Sequence, residues 1–485
     1  MTTLFTVILI MYLILMIVIG FFGAKKSKST EDYLLAGRKL PVWMMAFSVV
    51  AGFFGSEVAM GASGVAYSMG WLGGAGIPFG WTVCLLIMGW FFTEKMRKMR
   101  VFTISDFFER KYGKNVGILT AAVIVIAMLF WLAALFLGLA KTFTVFLGWN
   151  YTISIAVGMG IVLLYTVAGG LWSGVITDII QFIILSVATL VLAFVSMRVS
   201  GGWDKIAQVV PKANLRFIPS DFRMIIFLLW GFLTPVFSGV VSPDGNSRLM
   251  AGISPKASRQ AALLSAPLYL ILGVLCMVIG FAGAVIYPNI VDAELIYPQL
   301  ALDYLPPVMS AVIMIGLVSV VMSSADSAIL ASATLMSKNI YQPLTKANSE
   351  NKSFLFIVRV CVVICGLFAL IISFLSAQIP NAMLLLNMIT AGIWFTLIPL
   401  IWFGFFWKKA NKTAALWSLG FCCIFLLIYD VIALTVNPII YNASELHLNE
   451  IPGEIICTPI GIIMFYFIAR ATYKKDPPVD IVFAE

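Results

Sequence analysis

Five acidic residues and one lysine fall within or at the end of long apolar segments, where a charged side chain is costly and usually has a function. They are Glu57, Lys141, Asp178, Asp244, Asp326 and Asp430. Because acids outnumber bases, we predict that the interior of the folded chain is anionic. Such an interior favours cations, either inorganic ions or a cationic organic solute.

A run of polar residues interrupts one of these apolar segments. Its three hydroxyls and one carboxylate occupy neighbouring faces of one helix through i, i+3 and i+4 spacing, at Ser323, Ser324, Asp326 and Ser327. Hard oxygen donors of this kind suit a hard cation such as sodium. Serines in a helix can instead bond back to their own backbone. A buried aspartate still needs a partner.

Two further acids have polar or glycine-rich surroundings. Glu57 shares its segment with Gly52 and Gly55. Glycines weaken a helix, and a helix broken at such residues can present its free carbonyls to a cation. The same glycines could serve close helix packing. Asp178 stands near the start of its apolar segment, where it is either a cation ligand or an acid that caps the helix.

Aromatic residues offer a second kind of cation site. Phe53, Trp81 and Trp131 lie in three early apolar segments. Facing a shared cavity, these rings could hold an organic cation, with about 0.5–2 kcal/mol for each cation–π contact. Aromatic residues make up 13% of the chain, so packing and contact with lipid also explain their presence.

The elements that must position these residues are membrane helices. The chain has 485 residues, of which 61% are hydrophobic and only 11% charged, so lipid must cover much of its surface. This composition excludes a soluble enzyme, a disordered chain and a DNA-binding domain. Spans of about 20 helical residues are predicted at 4–23, 42–69, 72–93, 116–147, 151–169, 174–199, 223–247, 260–287, 307–336, 354–377, 382–406, 413–436 and 454–471.

Charge placement predicts the orientation. If the N-terminus is outside, most of the 31 Lys and Arg residues fall in cytoplasmic loops. Arg248 is counted among these loop residues. The net charge of +9 therefore reflects topology and requires no nucleic acid. The chain has a single histidine, His447, and no Cys–His cluster. We therefore expect no zinc or haem enzyme and no cofactor. We expect a multi-pass protein of a plasma membrane, such as a bacterial inner membrane, with a cytoplasmic C-terminus.

Several motifs, in order along roughly residues 5–470, resemble the sodium/solute symporter family. These are 32–38, 103–107, 110–113, 165–171, 177–181, Arg248 with its neighbours, and the serine-rich run through 339–342. The resemblance implies an all-α LeuT-type bundle in which two five-helix repeats of inverted topology alternate access to a central site. One transporter domain would span 1–472, with an extra first helix at 4–23, repeats at 42–199 and 223–406, two extra helices at 413–471, and a tail at 473–485.

The same resemblance implies two sodium sites. The main one would use carbonyls of Ala51, Phe54 and Val320 with the hydroxyls of Ser323 and Ser324. A second, found in some members, matches Asp178, Ser323, Asp326 and Ser327. Sodium is thus the expected coupling ion, and Ser324→Ala is expected to weaken the sodium dependence of transport.

Within the family, the serine-rich run most resembles the high-affinity choline transporter branch. The aromatic cage of that branch matches Phe53, Trp81 and Trp131, with Phe53 in place of tryptophan and Trp81 in place of tyrosine. A fourth aromatic is absent, and its region matches Ser242 to Gly245, which adds Ser242 and Asp244 to Glu57 as candidate substrate contacts.

We therefore expect a sodium-coupled symporter that imports a small cationic or zwitterionic amine, choline-like or carrying N–H donors. A proline-like amino-acid symporter, or a symporter of another organic solute, is the alternative. A membrane sensor built on a transporter bundle belongs to a different class. The expected partners are sodium, the solute and lipid.

Overall fold

The computed structural model describes residues 2–26, 29–55, 57–216, 222–347, 352–379, 382–436 and 452–479. Regular structure throughout these residues is helical, and the one extended pairing among them is an isolated parallel bridge between Leu40 and Gly252. Mean hydropathy of +1.03 agrees with this, because a helix satisfies all of its own backbone groups in lipid.

The first part of the chain forms eleven α-helices: α1 (Thr2–Lys26), α2 (Thr30–Leu35), α3 (Val42–Phe53), α4 (Ser63–Met69), α5 (Trp71–Gly74), α6 (Gly76–Ile87), α7 (Thr93–Lys98), α8 (Ile104–Tyr112), α9 (Lys114–Leu147), α10 (Tyr151–Val199) and α11 (Gly202–Val209). A π-helical turn, Glu57–Ala62, leads into α4, and another, Met88–Phe92, joins α6 to α7.

The second part forms α12 (Phe222–Val241), α13 (Pro243–Met250), α14 (Pro255–Ile286), α15 (Ile296–Tyr304), α16 (Pro307–Thr334), α17 (Gln342–Thr345), α18 (Lys352–Ser376), α19 (Ala382–Thr396), α20 (Ile398–Phe406), α21 (Lys412–Val436) and α22 (Gly453–Thr472). A π-helical turn, Leu335–Tyr341, follows α16, and a short 3₁₀ turn, Ala293–Leu295, precedes α15.

Ten helices in the described part are long and apolar enough to cross a membrane, and an eleventh counts if α3 and the helix after it form one bent span. Two shorter apolar helices, Tyr151–Leu164 and Leu228–Val241, fall in the predicted spans 151–169 and 223–247. The apolar segments are therefore helices as predicted, but the count of thirteen full spans is not confirmed.

Three breaks interrupt long helices near the centre of the bundle. The helix that begins at Val42 ends at Phe53, and the next helix leaves at an angle of 65°. Ser242 separates α12 from α13 in an extended conformation. Gly170 bends α10 with φ of 58°, and a Cβ there would stand 2.5 Å from the Tyr33 carbonyl oxygen. Only glycine fits that conformation and that close approach.

The centre of the bundle is α16. Every residue from Ile313 to Leu335 is buried, and this helix packs against α3, α9, α10 and α13. The peripheral helices α1 and α18 instead expose large apolar side chains such as Met11 and Leu375, as expected for surfaces that face lipid. The polar run of the sequence therefore lies in the interior, beside two of the breaks.

Candidate ion and substrate site

The broken end of α3 meets α16 through hydroxyl groups. The Ser323 hydroxyl donates to the Ala51 carbonyl at 2.7 Å and lies 3.0 Å from the Val320 carbonyl. The Ser324 hydroxyl donates to the Gly52 carbonyl at 2.9 Å. The Ala51 and Gly52 carbonyls stand at the end of α3, where the helix itself no longer supplies donors. Ala51, Val320 and Ser323, three of the predicted ligands of the main sodium site, thus lie together.

Phe54, the fourth predicted carbonyl ligand, lies at the break itself, with non-helical φ of −93° and ψ of 75°. Its ring packs edge-on against Tyr269 of α14, with centroids 5.3 Å apart. The Tyr269 hydroxyl also donates to the Phe53 carbonyl at 3.2 Å. Sequence reasoning missed Tyr269, since nothing in the spacing distinguishes it from the many other aromatic residues.

The predicted second sodium site surrounds a guanidinium group. Arg248 is only 1% exposed, and its Nη2 lies 2.8 Å from Asp178 Oδ2 and 3.7 Å from Asp326 Oδ1. It also donates to the Ser327 hydroxyl, and its Nε donates to the Ser48 hydroxyl at 2.7 Å. The prediction that Arg248 lies in a cytoplasmic loop is therefore wrong, because the break before α13 carries this residue into the bundle.

Asp178 lies well inside α10, eight residues beyond the break at Gly170, and is fully buried. The alternative that it caps a helix start is therefore wrong. Ser48 donates to its Oδ2, whereas its Oδ1 has no hydrogen-bond donor within the described residues. The Ser323 hydroxyl points toward α3, so it contacts the predicted main-site carbonyl of Ala51 rather than Asp178.

A small cavity of about 10 Å³ adjoins this cluster, lined by Thr166, Gly170, Leu171, Gly174, Ser247, Arg248, Asp326, Ser327 and Leu330. That volume accommodates roughly one water-sized sphere. Gly174 lies beside Asp326, and a Cβ there would be 3.6 Å from the Asp326 Oδ2, an ordinary van der Waals contact. The cavity therefore leaves room for a small species next to the ion pair.

Two of the three predicted cage aromatics are in contact. The rings of Phe53 and Trp81 have centroids 4.4 Å apart and an interplanar angle of 31°. Trp131, on α9, is half-buried and stacks on neither ring in the part of the chain that the structure describes. Glu57 has a described backbone in the π-helical turn, but its side chain lies outside the described residues.

Ser242 and Asp244 lie at the second break. The Ser242 hydroxyl donates to Asp244 Oδ1, and both side chains are buried. The flanking glycines pack directly on the aromatic pair: a Cβ at Gly245 would meet the Phe53 ring, and one at Gly239 would meet the Trp81 ring. The break that carries Asp244 is therefore packed against the two rings.

Lys141 stands apart from this central site. Its ammonium pairs with Glu294 at 2.5 Å and with Asp292 at 3.4 Å, two acids of the segment before α15. The acids Asp178, Asp244 and Asp326 thus share the described centre of the bundle with one base, Arg248. This imbalance agrees with the anionic interior that the sequence predicts.

Comparison with known proteins identifies relatives of this chain. The family model of the sodium:solute symporter family matches residues 33–421. The human high affinity choline transporter 1 is 26% identical over 82% of this chain and 70% of its own length. The Bacillus subtilis high-affinity proline transporter is 25% identical over 83% of this chain and 87% of its own length.

A solved structure shares the fold. A sodium-coupled sialic acid symporter in a substrate-bound outward-open state superposes with a TM-score of 0.83 at 18% identity, over 99% of this chain and 98% of that one. The expected LeuT-type bundle is thereby confirmed, and the family consists of transporters rather than enzymes. This multi-pass membrane protein belongs to the sodium:solute symporter family.

Proposed function

We propose that this symporter imports a small organic amine, cationic or zwitterionic and choline-like, by alternating access driven by the sodium gradient. The observation that carries the proposal is the buried cluster of Asp178, Asp244 and Asp326 around a single arginine, Arg248. Uncompensated charge is costly in such a place. Bound cations would offset it, and each sodium ion that enters contributes about 2.3 kcal/mol per 100 mV.

Sodium in the main site would join α3 to α16. The proposed ligands are the carbonyls of Ala51, Phe54 and Val320 and the hydroxyls of Ser323 and Ser324. Three of them already share hydrogen bonds of 2.7–3.0 Å. All are neutral oxygen donors, which hard cations prefer. Because these ligands come from the broken end of α3 and from α16, sodium binding would fix the end of α3 against α16 and stabilise the outward-open state.

A second sodium would bind at Asp178, Asp326 and Ser327, with the carbonyl of Ser323 nearby. Support comes from the undonated Oδ1 of Asp178 and from the small cavity beside Asp326. Arg248 now supplies the positive charge there, so a sodium ion would share the site with the guanidinium or displace it.

The substrate would contact the Phe53–Trp81 pair, Trp131, Glu57, Ser242 and Asp244. Aromatic faces attract organic cations, and the choline transporters among the relatives show that this family includes carriers of such solutes. An anionic solute would need a free base near the rings. Arg248, the buried base of the described centre, is already engaged by two carboxylates.

A proline-like amino-acid symporter is the second candidate. The proline transporter of Bacillus subtilis matches this chain at nearly the same identity as the choline transporters do. A zwitterion would satisfy the acidic site with its ammonium group and could place its carboxylate near a helix N-terminus. For either solute, we propose a plasma-membrane location, with the N-terminus outside and the C-terminus in the cytoplasm.

The test is uptake of labelled choline and labelled proline into proteoliposomes, with and without an inward sodium gradient. Saturable, sodium-dependent uptake of choline would support the amine proposal, whereas proline uptake alone would favour the second candidate. Folding is checked by size-exclusion chromatography of the same preparation. Uptake that is insensitive to the sodium gradient would contradict the coupling.

A further inference from the structure

Asp244 carries a buried oxygen without a partner. The side chain has no exposed surface, and its Oδ1 accepts a hydrogen bond from the Ser242 hydroxyl. No donor among the described residues reaches Oδ2. A buried carboxylate oxygen normally has a hydrogen-bond partner, because leaving it bare forfeits the hydration it had in water. A bound molecule can therefore supply the missing donor.

The position of Asp244 links this oxygen to the proposed substrate site. Its neighbour Gly245 packs against the Phe53 ring, and Gly239, just before the break, packs against Trp81. These two rings are themselves stacked 4.4 Å apart. A ligand held by the aromatic pair thus lies next to the helix break that carries Asp244.

Arg248 does not satisfy this carboxylate. Its Nη2 donates to Asp178 and faces Asp326, and Nε donates to Ser48. Its Nη1 reaches only the main-chain oxygen of Asp244, at 3.5 Å. The proposed main sodium site uses neutral ligands and does not include Asp244. The acceptor at Asp244 Oδ2 is therefore left for the substrate.

From this geometry we infer that Asp244 is a specificity-determining residue that accepts an N–H hydrogen bond from the substrate. The inference rests on the proposed amine transport. A quaternary ammonium has no N–H and could offer this oxygen only its charge, whereas a protonated primary, secondary or tertiary amine offers both charge and a donor. The symporter therefore prefers amines that carry N–H groups over choline itself.

A methylation series separates charge from hydrogen bonding. Ethanolamine, N-methylethanolamine, N,N-dimethylethanolamine and choline all carry one positive charge at neutral pH and differ in the number of N–H donors. The half-saturating concentration of each labelled compound is measured in proteoliposomes under one fixed sodium gradient. We expect choline to need about a tenfold higher concentration than dimethylethanolamine, because the last N–H is a charge-assisted bond.

The variant Asp244→Asn tests the residue. The amide keeps the size of the side chain but loses the charge. The half-saturating concentrations of dimethylethanolamine and choline should therefore differ by less than about threefold in this variant. Asp204→Asn, the same substitution on the exposed face of α11, should leave the whole series unchanged. The wild-type series alone still tests the preference if the Asp244 variant does not fold.

The outcomes separate the inference from the proposed function. Sodium-dependent uptake with choline equal or preferred would overturn the role of Asp244 and leave amine transport standing. A preference for N–H amines that survives in Asp244→Asn would assign the donor contact to another group and overturn the inference as well. Failure of all four amines under a sodium gradient would overturn the proposed function, and the inference with it.

Discussion

Replacing Arg248 by methionine tests the central ion-pair network. The guanidinium lies 2.8 Å from Asp178 and 3.7 Å from Asp326, and each pair attracts by about 4–6 kcal/mol at an effective dielectric of 20. Desolvation of the charges offsets much of this attraction, so removal of one partner from a buried pair typically costs about 3–5 kcal/mol. We expect a loss of that size for Arg248→Met, because two buried carboxylates are then left without their base.

The assay is thermal unfolding of the purified protein in detergent, followed as a function of sodium concentration. Sodium should raise the midpoint of Arg248→Met more than that of the wild type, since it can replace the missing charge. A ligand at 100 times its Kd adds about 2.7 kcal/mol. Potassium at equal ionic strength controls for screening.

Arg259→Met is the matched control. Arg259 is 46% exposed and pairs with Glu94 at 3.5 Å, so its loss should cost less than about 1 kcal/mol. If Arg248→Met unfolded at the same temperature as this control, the buried arginine would not be holding the carboxylates. If sodium and potassium protected the variant equally, the second sodium site would be wrong.

Two other substitutions test the remaining contacts. Ser324→Ala removes a proposed ligand of the main site and should raise the sodium concentration for half-maximal uptake about tenfold. The control is Ser332→Ala, since the Ser332 hydroxyl bonds back to its own helix at 2.7 Å, and it should leave that concentration unchanged. Equal sodium curves for the two variants would contradict the proposed site. Gly245→Ala puts a Cβ 2.0 Å from the Phe53 ring and should cost about 1–3 kcal/mol of stability by overpacking. The thermal unfolding midpoint measures this loss. Gly420→Ala, which has open space around its Cβ, is the control and should be neutral or stabilising.

The proposed sodium sites and the proposed substrate site differ in how they use charge. The proposed main sodium site consists of neutral oxygens at a helix break, and its hydroxyls already join the two helices. The proposed second site contains two buried carboxylates, and the proposed substrate site contains the buried carboxylate of Asp244. Uptake should therefore respond to Ser324→Ala through the apparent sodium affinity and to Asp244→Asn through the choice of solute, which allows the two effects to be measured separately.

The sequence alone determined the class of the protein and the sign of the charge in its interior. Hydropathy is a local property, so the long apolar segments of the sequence predicted where the membrane helices of the structure lie. Two of the predicted spans correspond to helices that are shorter than a full span. The ordered motifs likewise predicted the family, and the polar run on α16 predicted a cation site that stays a prediction.

Only the tertiary structure decided which of these residues meet. Arg248 is 70 residues from Asp178 in the sequence, and charge counting alone placed it in a loop. The break at Ser242 instead turns it into the bundle. The same break packs Gly239 and Gly245 against the rings of Trp81 and Phe53, and it carries Asp244 with one oxygen unpartnered. Contacts of this kind depend on how separate helices pack, and no local pattern encodes that packing.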